Sequence, residues 1–175
     1  LASPAGVYYQ QIGPDGAGWT APVLVHSSRY LRLLTLESAH LRLAAGGTGD
    51  IYITWDDARR ERSLLVHSSN GGRTWQAPVE VGDPEGKSAR SRLIVPPSGD
   101  ALVLWEPGSA VGACTLYQAP ASAVLDGSAG AGQRVLEGLA SCPTDEQFLP
   151  LAERRGDGQV LMIAGAGSDA LTLAL

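Results

Sequence analysis

The chain has 175 residues and a net charge of −5 at pH 7, and its 13 Lys and Arg residues form no basic stripe, so nucleic-acid binding is not expected. The length suits a single domain with a sizeable core, and no apolar run approaches the ~18 residues of a membrane span. The opening residues, LASPAG, lack the charged and apolar regions of a signal peptide, so we expect a mature or excised piece of a protein.

Two sequence elements recur along the chain. WTAPVLV at 19–25 returns as WQAPVEV at 75–81, which is 56 residues later. LRLAAGGTGDIYITWDD at 41–57 is matched by SRLIVPPSGDALVLWEP at 91–107, which is 50 residues later, and a looser third copy lies at 148–164. Together with 22 glycines, 11 prolines and few helical patterns, these repeats predict an all-β chain built from similar units.

The best-preserved unit predicts four short strands separated by Gly, Asp and Pro turns. The strands are Leu41–Ala45, Ile51–Trp55, Ser63–His67 and Pro78–Val81. A unit of about 50 residues with four antiparallel strands is typical of a β-propeller blade.

The whole chain is therefore predicted to be one propeller segment of about three and a half blades. It divides into a partial blade at 1–28, blades at 40–82 and 90–138, and a partial blade at 146–175. Closed propellers have about 4–8 blades, so we expect a further segment or a second chain to complete the ring.

Residues 68–75 read SSNGGRTW and carry the most specific motif. Ser68, Asn70, Gly72, Thr74 and Trp75 resemble the Asp-box, or BNR repeat, of the sialidase-like propeller superfamily, whose pattern is Ser-x-Asp-x-Gly-x-Thr-Trp. An Asn in the Asp position keeps the acceptor oxygen that caps backbone N–H groups in a tight turn, and glycine permits positive φ. We therefore expect the motif to stabilise the fold, and only secondarily to contact a ligand.

Other copies of the motif are weaker. In the first copy Gly16 and Trp19 keep their places, but Ile12 and Pro14 replace the Ser and Asn. The copy after Tyr117 is lost, and its Ala/Gly/Ser-rich replacement at 119–133 predicts a flexible surface loop.

The resemblance places a ligand site on the face opposite the Asp-boxes. Sialidases clamp a substrate carboxylate with three arginines and use an Asp acid/base with a Tyr nucleophile activated by a Glu. By this resemblance the catalytic candidates are Arg42, Arg92, Asp56 and Asp57. Arg59 and Glu106, which lie in loops predicted on the same face, are the ligand-binding candidates. The alternative for each is structural: strand arginines usually pair with a neighbouring carboxylate, and a DDARR run is usually a solvated loop.

The chain also departs from the family. Leu149 stands where the first sialidase arginine is expected, and no Tyr–Glu pair with catalytic spacing is recognisable. We therefore expect a non-catalytic module that binds glycan or protein. The alternative is an exo-α-sialidase-type glycoside hydrolase whose remaining catalytic residues lie outside this chain.

Cys114 and Cys142 are either two buried thiols or one disulfide, and no histidines stand near them at zinc-ligand spacing. No cofactor or metal is expected. An extracellular, periplasmic or cell-surface location would suit the resemblance.

Overall fold

The computed structural model describes residues 5–13, 15–16, 18–28, 39–46, 49–95, 100–108 and 114–139, together with strand residues 153–154, 160–166 and 169–174. Within this part of the chain nearly all regular structure is β, which confirms the all-β class. The strands form antiparallel sheets, none of which closes on itself.

Four sheets follow one another along the chain. The first sheet pairs β1 (Gly6–Tyr9) with β2 (Val23–Ser27). The second sheet has the order β3 (Arg42–Ala45), β4 (Ile51–Asp57), β5 (Arg62–Ser68), β6 (Val79–Glu80). The third has the order β7 (Ser88–Ile94), β8 (Leu102–Pro107), β9 (Cys114–Pro120), β10 (Gln133–Leu139). The fourth has the order β11 (Glu153–Arg154), β12 (Val160–Ala166), β13 (Asp169–Ala174).

The four strands predicted for residues 41–81 are all present, within one or two residues of the predicted bounds. The repeat register is also present: Arg42 pairs with Thr54 in the second sheet, and Arg92 pairs with Leu104 in the third. Thr54 and Leu104 are 50 residues apart, as are the two arginines. The repeat in the sequence is therefore a repeat of strand pairing.

Both faces of the second sheet are buried, because its strands carry apolar residues on both sides. Ile53 lies opposite Val66 and Trp55 opposite Leu64, and these pairs pack against the first sheet. Leu65, which points to the other face, packs with Val81 against the third sheet. The second sheet is thus the middle layer of three, whereas each sheet of a two-layer sandwich buries only one face.

One segment differs from its prediction. Residues 119–133 were expected to form a flexible loop, but Ala121–Leu125 form a short helix, α1, after Pro120. Ala121 and Val124, three residues apart, are buried in the core between the second and third sheets. Gly127, at φ +80°, follows the helix and donates its N–H to the Val124 carbonyl.

Candidate functional site

Residues Ser68–Trp75 form the turn between β5 and β6, here called the Asp-box turn. The Asn70 Oδ1 atom accepts the backbone N–H groups of Arg73 and Thr74 at 3.1 and 3.0 Å. The Ser68 hydroxyl accepts the N–H of Gly72 at 2.9 Å and donates to Asn70 Oδ1 at 3.0 Å. The polar side chains of the motif therefore form hydrogen bonds within the turn, which supports the structural interpretation.

Trp75 fastens the Asp-box turn to the first sheet. Its indole N–H donates to the Gly72 carbonyl at 3.1 Å, and its ring meets Tyr9 edge-on with a centroid distance of 5.4 Å. Gly72 has φ +82°, and a methyl group there would lie 2.1 Å from Tyr9 Cε1, so only glycine fits beneath the Tyr9 ring. At the degenerate first copy, by contrast, Trp19 is 68% exposed.

The Asp-box turn and the candidate residues lie at opposite edges of the second sheet. Gly71, in the turn, donates its N–H to Gly49 at 2.9 Å, so this edge also carries the β3–β4 turn. The other edge carries the β4–β5 turn at 58–61, the loop after β6 at 81–87 and the end of β8. We call it the opposite edge.

Asp56 joins the second sheet to the third at the opposite edge. Its carboxylate accepts the Ser63 hydroxyl at 2.6 Å and the backbone N–H of Arg90 at 2.9 Å, and it lies 2.8 Å from His40 Nδ1. Arg90 has φ +51° and lies where the β7–β8 register shifts. The carboxylate proposed as an acid/base therefore holds a β-bulge in the neighbouring sheet.

Arg92 and Glu106 form a buried ion pair on neighbouring strands. Both guanidinium Nη atoms lie 3.2 Å from Glu106 Oε1, and the two side chains are 9% and 8% exposed. The pKa of Arg92 is lowered, chiefly by burial and also by the positive charges of Arg90 and Arg42, and the Glu106 carboxylate offsets part of this shift. An arginine remains protonated despite such a shift, so the pair is ionic.

Arg90 and Arg42 extend this ion pair into a charged network of Arg42, Asp56, Arg90, Arg92 and Glu106. The Arg90 side chain, 52% exposed, approaches Glu106 Oε2 at 3.4 Å. Arg42 donates to the Leu41 carbonyl at 2.9 Å, and its charge acts on Arg92. Three guanidinium groups and two carboxylates thus lie together, and Arg42 and Arg92 have further interactions of their own.

Asp57 and Arg59 belong to the β4–β5 turn. The Asp57 Oδ1 atom accepts the N–H groups of Arg59 and Arg60 at 3.0 and 3.2 Å, which is an Asx-type turn. Arg59 is exposed on the turn. The structure thus joins Arg42, Arg92, Asp56 and Glu106 in one network and uses Asp57 to shape the turn beside it.

Sequence analysis missed two features. Arg90 was not singled out, since its exposed position depends on a bulge held by a residue 34 positions earlier. The second is His67, whose Nε2 lies 2.8 Å from Asp50 Oδ1 and whose ring stacks on Tyr52 at a centroid distance of 4.7 Å. Burial, aided by Asp50 and Asp100, raises the pKa of Tyr52.

Cys114 on β9 is disulfide-bonded, which favours the disulfide alternative, whereas Cys142 and Leu149 lie outside the described residues. In the described part of the chain, no three His, Cys, Asp or Glu side chains are grouped so as to hold a metal. No helix in that part is long and apolar enough to cross a membrane.

The sequence matches no model of a known protein family, and comparisons with curated proteins and with solved structures give no significant match. The resemblance to the sialidase-like superfamily therefore rests on the residues of the Asp-box turn and on the repeat.

Proposed function

We propose that this chain is a segment of a sialidase-like β-propeller that binds an anionic glycan or an acidic protein segment at the opposite edge. The fold part of the proposal is supported by four-stranded antiparallel sheets stacked face to face, with a repeated strand register. It is further supported by the hydrogen bonds of the Asp-box turn, which match the role of that motif in the superfamily. A further segment or a second chain would complete the ring.

The observation that carries the binding function is the charged network. The Arg90 guanidinium is half-exposed and contacts Glu106 through Nη1, which favours an anionic group held by forked, charge-assisted hydrogen bonds. An extracellular, periplasmic or cell-surface location is part of this proposal, and a disulfide at Cys114 suits such oxidising compartments.

We propose binding without hydrolysis because the catalytic candidates of the charged network already form ion pairs and hydrogen bonds with neighbouring protein groups. Both Nη atoms of Arg92 contact Glu106, and the Asp56 carboxylate accepts hydrogen bonds from Ser63 and Arg90. A sialidase needs a free guanidinium fork and a free acid/base at these places.

The test is titration of the protein with sialylated glycans, alongside release of fluorophore from a 4-methylumbelliferyl sialoside. We expect saturable binding without fluorophore release. Arg90→Ala should weaken binding about tenfold or more, as expected for one charge-assisted contact. Arg73→Ala is the matched control, because Arg73 is also exposed but lies on the Asp-box turn.

Equal losses in the two variants would mean that binding follows net charge rather than this site, and would contradict the proposal. Absence of binding to anionic glycans and acidic peptides would also contradict it. Release of fluorophore, lost in Arg92→Ala, would favour the hydrolase.

A further inference from the structure

The chain contains a single asparagine, Asn70, and it stands directly before a glycine. Asparagine is chemically labile in proteins, and most of all before glycine, where no side chain obstructs attack by the next backbone nitrogen on the amide carbon. Asn70 is exposed at the corner between β5 and β6. The Asp-box turn therefore carries a candidate site of covalent modification that the proposed function does not use.

The chemistry at this site is hydrolysis of the side-chain amide through a cyclic imide. The Gly71 backbone nitrogen forms a bond to Asn70 Cγ, the Cγ–Nδ2 bond breaks, and the Nδ2 group leaves as ammonia with the proton of the attacking N–H. Water then opens the resulting succinimide. Cleavage of the bond between nitrogen and Cγ gives aspartate, whereas cleavage at the Asn70 carbonyl carbon gives isoaspartate, whose backbone is longer by one carbon. In sum, an amide and water become a carboxylic acid and ammonia.

In the closed turn the attacking nitrogen is held by another residue. Gly71 donates its N–H to the Gly49 carbonyl at 2.9 Å, which joins the Asp-box turn to the β3–β4 turn. Attack requires this N–H to give up its proton and the nitrogen to approach Cγ, so the hydrogen bond to Gly49 must break first. The next N–H is held as well, because Gly72 donates to the buried Ser68 hydroxyl at 2.9 Å.

The amide under attack is held on both of its polar atoms. Asn70 Oδ1 accepts the backbone N–H groups of Arg73 and Thr74 and the Ser68 hydroxyl. Asn70 Nδ2 donates to the Thr74 hydroxyl at 2.7 Å. These bonds fix the side-chain torsions, so Cγ cannot turn toward the Gly71 nitrogen without breaking them. The contacts that stabilise the turn thus also protect its amide.

An aspartate formed at this position fits the closed turn. Its Oδ1 would accept the same three donors as part of a carboxylate, and charge-assisted hydrogen bonds are stronger than neutral ones. The bond from Nδ2 to Thr74 is lost, but the Thr74 hydroxyl can rotate and donate to the second carboxylate oxygen instead. Isoaspartate does not fit, because its longer backbone displaces the N–H groups of Arg73 and Thr74 from the carboxylate.

From these contacts we infer that Asn70 is a deamidation site gated by the Asp-box turn. The closed turn suppresses the reaction, and each separation of Gly71 from Gly49 exposes the amide to attack. The rate in the folded chain is then the rate in the open turn multiplied by the fraction of time that the turn is open. The reaction adds one negative charge to the net −5, and it is independent of the proposed ligand site at the opposite edge.

The test compares deamidation of the folded chain with that of the chain unfolded in guanidinium chloride, at one mildly alkaline pH. Ion-exchange chromatography of the intact chain detects the added negative charge, and Asn70→Ala gives the background from glutamines. Trypsin cuts after Arg62 and Arg73, so mass spectrometry of the fragment 63–73 locates the change. We expect the folded chain to react at least about tenfold more slowly than the unfolded chain.

Two variants separate the gate from the chemistry. Ser68→Ala removes the acceptor of the Gly72 N–H and one donor to Asn70, so the folded variant should react about threefold faster or more. Its rate in guanidinium chloride should not change. Gly71→Ala is the matched control, because its methyl group crowds the attacking nitrogen but has nothing within 4 Å in the closed turn. It should slow the reaction in guanidinium chloride.

Hydrogen exchange at the Gly71 N–H gives a second measurement, which decides the matter if Ser68→Ala does not fold. Exchange and deamidation both start from the open turn, so the protection of this N–H should match the ratio of the unfolded and folded deamidation rates. Equal deamidation rates in the folded and unfolded chains would overturn the inference, and so would no reaction in the unfolded chain. A folded Ser68→Ala that reacts no faster would remove the gate. Asn70→Asp should unfold at a higher urea concentration than the unsubstituted chain, and a lower one would contradict the fit of the product.

Discussion

Gly72→Ala tests whether the first sheet packs on the Asp-box turn as described. The added methyl group would lie 2.1, 2.5 and 2.9 Å from Tyr9 Cε1, Cδ1 and Cζ, so the ring must move. That ring is held by its edge contact with Trp75 and by a hydrogen bond from its hydroxyl to Gln11 at 2.9 Å.

The expected cost has two parts. A non-glycine residue at φ +82° costs about 1–2 kcal/mol in backbone strain. Displacing a packed aromatic ring costs a further ~1–3 kcal/mol. We therefore expect Gly72→Ala to lower the free energy of unfolding by about 2–5 kcal/mol.

Gly71→Ala is the matched control, because Gly71 is the preceding residue, has φ +70° and has nothing within 4 Å of its added methyl group. It should show the backbone part alone, about 1–2 kcal/mol. Urea unfolding of both variants gives the difference, and a Tyr9→Leu background should reduce it. Equal costs for the two variants would refute the packing of Tyr9 over Gly72.

Three more changes test the turn, the buried ion pair and a histidine. Asn70→Ala removes four side-chain hydrogen bonds. Each contributes ~0.5–1.5 kcal/mol, and the low end applies because the site is exposed, so the free energy of unfolding in urea should fall by about 2 kcal/mol. Arg73→Ala keeps the backbone N–H that Asn70 accepts and should change the free energy of unfolding little. Glu106→Gln takes the carboxylate from buried Arg92 and should cost about 3 kcal/mol by the same assay. Burial, and secondly the charge of Arg60, lowers the pKa of His26 below 6.5, so the folded state binds fewer protons than the unfolded state. Thermal stability should therefore fall as the pH drops through 6.5, and it should fall less in His26→Gln.

Each of these expectations has a result that contradicts it. If Asn70→Ala and Arg73→Ala unfolded at the same urea concentration, the Asn70 side chain would not be capping the turn. An unchanged free energy of unfolding in Glu106→Gln would mean that buried Arg92 does not depend on the Glu106 carboxylate. A pH dependence unchanged in His26→Gln would assign the effect to another group.

The sequence predicted the features that depend on local pattern. Strands Ile51–Asp57 and Arg62–Ser68 follow from alternation and from Gly and Asp turns, and the Asp-box turn follows from five residues in eight. These structures are fixed by contacts between near neighbours, which is why a short motif predicts them. The propeller and its closure remain predictions.

The features that sequence analysis missed depend on contacts between distant residues. Asp56 and Glu106 occupy equivalent repeat positions, yet one holds the Arg90 bulge in the next sheet and the other pairs with Arg92 in its own. Nothing within a single repeat separates these two outcomes. Helix α1 was missed for another reason: five residues are too few to show helical periodicity, and their Ala/Ser composition suggested a loop.

The contacts between the second and third sheets at the opposite edge have a mechanical consequence. Ser88 accepts the Ser63 N–H at 2.9 Å and donates its own N–H to the Glu61 carbonyl at 3.2 Å, and Asp56 grips the Arg90 N–H. These hydrogen bonds to backbone groups hold the second and third sheets at a fixed angle, because opening that angle would break them. A ligand arriving there meets a surface whose curvature is already set, so we expect association without a slow rearrangement step.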